Sequence, residues 1–140
     1  MGTNNIILII MLLSITFNAI GDGLRIRDYE KHSKTQGILY HIFNAVAFGI
    51  LFTLLFLPDK DSITRIDALW YLLSFACIRF GIFDFILNTV AGKHFLYLGD
   101  TAGIDKLLKR IFNTPTKLGI LASLRSIIFI IGLVIVQHII

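Results

Sequence analysis

Two aspartates, two arginines, one histidine and three asparagines interrupt the long apolar runs of this 140-residue chain: Asn18, Asp22, His41, Asn44, Arg79, Asp84, Asn88 and Arg125. An ionisable side chain at the centre of a membrane helix costs about 2.5–3.5 kcal/mol on insertion scales, so each of these needs a partner. Carboxylates, an imidazole and guanidinium groups gathered in apolar surroundings can pass protons, hold an ion, receive a lipid phosphate, or simply tie helices together. Spacing narrows the choice of neighbours. Ser74, Cys77, Gly81, Asp84 and Asn88 recur every three or four residues, which makes one small-and-polar stripe on a helix. Arg79 lies roughly 160° around the axis from Gly81, off that stripe, and no partner for it follows from the spacing.

The elements that must position these groups are apolar helices. Hydrophobic residues make up 56% of the chain, charged ones 16%, and the mean hydropathy is +0.80, outside the soluble globular range. Four runs approach the ~20 residues that span ~30 Å of hydrocarbon: 5–21, 38–57, 66–91 and 118–140. The expected fold is therefore all-α, an integral membrane four-helix bundle forming a single transmembrane domain over 1–140. Residues 101–112 place Ile104, Leu107, Leu108, Ile111 and Phe112 opposite Lys106, Lys109 and Arg110, the pattern of a short amphipathic interfacial helix between the third and fourth spans. Segment 22–34 mixes charges and reads as a helical extension or a tight hairpin. Ala19-x-Gly21 is a passable signal-peptide cleavage site, but residues 1–5 carry no Lys or Arg, which weighs against cleavage.

Basic residues set the orientation. Arg25, Arg27, Lys31 and Lys34 fall in segment 22–37, and Lys93, Lys106, Lys109, Arg110 and Lys117 in segment 92–117, against only Lys60 and Arg65 in the other connections. Because positive residues stay in the cytoplasm, both of those segments are expected inside and both termini external, in a cell (inner) membrane. Depth then follows from the ~1.5 Å rise: Asp84 and Arg125 each lie about 12 Å in from the cytoplasmic ends of their helices, so they are expected to pair. Asn18, His41, Asn44 and Asn88 fall in the same half, which suggests a polar pocket open to the cytoplasm.

Several function classes remain open. The leading one is non-catalytic: transport, a pore or channel, or a membrane-anchoring accessory subunit, with membrane lipids and either further copies or a membrane partner around it. Small size and richness in Ile and Phe suit a bacterial or phage accessory protein, including a holin-like pore former. Small multidrug transporters are similar in size and helix count, but they centre on an acidic residue in the first helix, which here is uncharged until Asp22. The alternative is a membrane enzyme acting on a lipid phosphate or lipid-linked substrate at the cytoplasmic face, with Asp22, His41, Asp84 and Arg125 as acid, base and phosphate-binding groups. Asp22-Gly23 followed by Arg25 resembles the opening of the alcohol phosphotransferase motif of phospholipid synthesis, though the further glycine and paired aspartates that chelate metal there do not follow. HExxH, GxSxG and Walker motifs are absent. A lone Cys77 excludes an internal disulfide and a Cys-based zinc site. His32, His41, His94 and His138 do not fall at matching depths for haem, so no cofactor is expected. No basic stripe is interleaved with aromatics, so nucleic acid is not an expected partner.

Overall fold

The structure is a computed structural model that describes residues 2–31, 34–56, 65–98 and 103–138. Residues 1, 32, 33, 57–64, 99–102, 139 and 140, His32 among them, lie outside the described residues, as do the side chains of 28–31, 34–37, 55, 56, 65 and 103–105, which include Ile104 of the expected amphipathic face. Every regular element among the described residues is helical: α1 (Thr3–Lys31), α2 (Lys34–Phe52), α3 (Arg65–Ala91), α4 (Gly103–Ile111) and α5 (Pro115–His138).

Among the described residues three helices are long and apolar enough to cross a membrane: Thr3–Arg27, Ile66–Ala91 and Pro115–His138. The second expected span is shorter than its sequence run, for its apolar α-helical part is Ile38–Phe52. It tightens into a 3-10 turn at Thr53–Phe56, where the Thr53 hydroxyl donates to the Ile50 carbonyl at 2.6 Å. That local bond competes with helix propagation, and Pro58 just beyond disfavours the α conformation in the residue before it. At its other end α1 runs about ten residues past the expected boundary. Gly21 and Gly23 do not break it, because they serve as close-approach points for α2 and α3.

Capping accounts for two further boundaries. The Lys117 amide donates to Thr114 Oγ1 at 3.4 Å and Pro115 occupies the first helical position, so α5 starts three residues earlier than its apolar run. At the end of α3, Gly92 adopts φ 72°, the Gly92 amide donates to the Thr89 carbonyl, and the Lys93 amide donates to the Asn88 carbonyl at 2.8 Å. That pair of bonds is a Schellman closure, which requires a left-handed residue and so favours glycine.

The helices form an open row. α1 packs on α2 and α3, α3 packs on α5, and α4 makes no substantial contact with the long helices. Ile7, Met11, Ile15, Ile78 and Val136 form the buried core, where α1, α3 and α5 meet. The α3–α5 seam is tight because glycines face it from both sides. A Cβ at Gly81 would sit 2.5 Å from Phe129 Cβ, and one at Gly132 would sit 2.9 Å from Ile78 Cγ1. Across the same seam the Ser74 hydroxyl donates to the Gly132 carbonyl at 2.6 Å.

Candidate functional site: a charged network between the helices

α3 carries two faces that do different work. Gly81 and Asp84 look toward α5, where the Arg125 guanidinium donates through Nη2 to Asp84 Oδ2. Arg125 is 2% exposed and Asp84 32%, so the cation is locked inside the protein while its counter-ion keeps one open side. Phe80 lies 5.5 Å from the Arg125 guanidinium and covers part of it. Arg125 Nε is buried with no hydrogen-bond partner.

Arg79 occupies the other face, toward α1. Its Nη1 donates to Asn18 Oδ1 at 2.6 Å, and its guanidinium lies 3.9 Å from the Phe83 ring centroid. The Asn18 amide donates onward to Asn44 Oδ1 of α2, and the Asn44 side chain lies close enough to the Asp22 carboxyl to act on it electrostatically. Asp22 is also within electrostatic reach of Arg79 and Arg25, and Arg79 within reach of Asp84. Arg25 stacks on the Tyr40 ring at 5.3 Å. Opposite charges alternate across the row, but only Asp84 and Arg125 form a direct ion pair, and the hydrogen bond of Arg79 goes to a neutral amide.

Six of the eight residues singled out above meet in this network: Asn18, Asp22, Asn44, Arg79, Asp84 and Arg125. His41 does not. It has the expected depth but points to an exposed face of α2, edge-on to its neighbour Tyr40. Asn88 is buried, yet it works at the end of α3, donating to the carbonyls of Phe95 at 3.1 Å and Tyr97 at 2.8 Å. Asn88→Ala would leave both carbonyls and the turn after α3 without their anchor, at a cost of about 2 kcal/mol. Proteolysis within residues 93–98 should quicken several-fold while the membrane-embedded part stays intact. Unchanged cleavage would mean that the Schellman closure alone holds the turn.

A second polar set escaped sequence reasoning. Tyr71 Oη donates to Asn4 Oδ1 at 2.8 Å and Gln137 Nε2 to Asn5 Oδ1 at 3.1 Å, tying the far ends of α1, α3 and α5 together. Polar residues at span ends are ordinary, so nothing marked these in the sequence. Gly23 also has a packing role: a Cβ there would meet the Leu87 carbonyl and Val90 at 2.8 Å. A glycine at position 23 is therefore what the close approach of α1 to α3 requires.

The four helices do not close around one pocket. Two open clefts lie away from the Asp84–Arg125 pair. One, of about 440 Å³, is lined by Ile7, Met11, Leu51, Leu54, Tyr71 and Phe75 among others, and the second, of about 360 Å³, lies between His94–Leu98 and Lys109–Leu118. Among the described residues no three His, Cys, Asp or Glu side chains come together as metal ligands. No family profile, curated protein or solved structure matches the chain.

Proposed function

We propose that the chain is a non-catalytic, multi-pass membrane protein, a small accessory protein whose intramembrane charges tie its helices into a fixed scaffold. The observation that carries this reading is an inverted distribution of polarity. On α5 the largest buried side chain is an arginine, while Ile120, Leu124, Ile127, Ile131 and Val134 are 43–58% exposed. Water would make that arrangement very unfavourable, whereas hydrocarbon makes it ordinary.

In this reading α2 is a fourth span. Its fifteen apolar residues cover roughly 22 Å as α-helix and the 3-10 turn adds roughly 8 Å, together about the thickness of the hydrocarbon layer. Segments 22–37 and 92–117 face the cytoplasm and both termini are external. α4 lies in the headgroup layer with Lys106, Lys109 and Arg110 toward anionic lipid, since Leu107 and Ile111 are exposed and no helix covers them. Ile120, Leu124, Ile127, Ile131 and Val134 recur at spacings of four, three, four and three, with Ile130 also exposed beside them, a face on which a second copy or a membrane partner could pack. The charged groups of the spans are engaged with one another and not grouped around a nucleophile and base, which favours a structural tie over lipid-phosphate chemistry.

Alkaline phosphatase fused after Lys109 is expected to be inactive, and the same reporter after Ile140 active, in cells where both fusions stay with the membrane after alkaline carbonate washing. Release of the chain by carbonate would refute membrane insertion. Activity after Lys109 with silence after Ile140 would invert the orientation.

A further inference from the structure

Among the described residues α2 and α3 both pack on α1 without substantial contact with each other, so a cleft runs between them along the α1 surface. Its outer half is the 440 Å³ apolar cleft, walled by Leu51 and Leu54 on α2 and by Ala68, Tyr71, Leu72 and Phe75 on α3, over Ile7 and Met11. Helical periodicity carries each of those faces inward to a polar residue. Seven residues separate Met11 from Asn18 and Leu51 from Asn44, and four separate Phe75 from Arg79. Asn18, Asn44 and Arg79 are the hydrogen-bonded trio of the network, and all three are only half-buried. Along α1, Ile7 and Asn18 stand roughly 16 Å apart, about the depth of one leaflet.

Charge selects the occupant. Asp84 and Arg125 neutralise each other, leaving Arg79 and Arg25 against Asp22, a surplus of one positive charge. Arg79 uses one of its five N–H donors on Asn18, and no other side chain accepts from it among the described residues. Asp22 and Asp84 act on Arg79 only through space, so its remaining N–H groups can take an anionic acceptor directly, and a carboxylate matches their planar fork. The apolar half, of about 440 Å³, matches the volume of a single acyl chain, and a single surplus charge suits a carboxylate better than a phosphate monoester.

On the membrane reading above, we propose that this cleft binds a long-chain fatty acid, its tail against Met11, Leu51 and Phe75 and its carboxylate on Arg79. The tail enters sideways from the bilayer between α2 and α3. Its head stops where the lining turns from apolar to polar.

The test uses the full chain in neutral phosphatidylcholine nanodiscs, with fluorescent cis-parinaric acid as probe and oleate, oleyl alcohol and oleoyl lysophosphatidic acid as competitors. Oleate should displace the probe at least tenfold better than oleyl alcohol. Arg79→Gln should abolish that difference and Arg79→Lys should keep most of it. Ala68→Trp, which fills the apolar half from an exposed position, should weaken oleate and alcohol alike by at least tenfold. Equal displacement by acid and alcohol in the unmodified protein would overturn the proposal, even if Arg79→Gln failed to fold. A full acid preference in Arg79→Gln, or stronger displacement by the lysophosphatidic acid, would overturn it too. Failure of the membrane reading would appear separately, as release by carbonate.

Discussion

Asp84→Ala is expected to destabilise the protein by about 3–5 kcal/mol, because it strands a buried guanidinium without its counter-ion. Arg125 is 2% exposed, its Nε already lacks a partner, and the nearest remaining charge on α3 is another arginine, Arg79. The reverse change should be milder. Arg125→Gln leaves Asp84 with 32% of its side chain exposed and Arg79 within electrostatic reach, so about 2 kcal/mol is expected. The double variant should lose less than the sum of the two, by roughly 1–3 kcal/mol of coupling. Unfolding in mixed micelles, followed by helix content, reads all three. Equal single losses that simply add would mean that the two side chains are stabilised by something other than each other.

Gly81→Leu should be as damaging by a different route, with a loss of 3 kcal/mol or more. Even a Cβ at this position falls 2.5 Å from Phe129 Cβ and 3.0 Å from the Arg125 carbonyl, atoms of a helix that cannot retreat without pulling Arg125 off Asp84. Gly132→Ala should cost less, because its nearest contact is the side-chain atom Cγ1 of Ile78 at 2.9 Å. A Gly81→Leu protein that unfolds like the parent would show that α3 and α5 are less closely apposed than the seam implies.

The helices and the Asp84–Arg125 pair were legible in the sequence because both depend on one-dimensional quantities. Apolar length marks a span, and counting the rise from a helix end places a charge at a depth. Which way a side chain faces is harder to read. Arg79 had no visible partner because α3 has two neighbours: the Gly81–Asp84 stripe faces α5, and the opposite side, where Arg79 stands between Phe75 and Phe83, faces α1. Its partner is a neutral asparagine on α1, and charge matching does not find such a group. His41 and Asn88 had suitable depths but the wrong azimuth and the wrong task. Nor did apolar length mark where α2 stops being α-helical, since the Thr53 hydroxyl bond and Pro58 act locally within an apolar run. Ala19 is fully buried and Gly21 lies against Phe43 and Asn44, both within a continuous α1 whose length the apolar run did not show.

The central claim is that α5 is inverted, with its charge inside and its isoleucines in lipid. Spin labels placed singly at positions 123 to 134 of the protein in lipid nanodiscs would report it through their collision rates with oxygen, which partitions into hydrocarbon, and with a water-soluble nickel chelate. The account predicts oxygen maxima at 124, 127, 130–131 and 134, minima at 125 and 132, and low nickel contact throughout. Nickel maxima at 127 and 131, with no helical oscillation in oxygen contact, would contradict it.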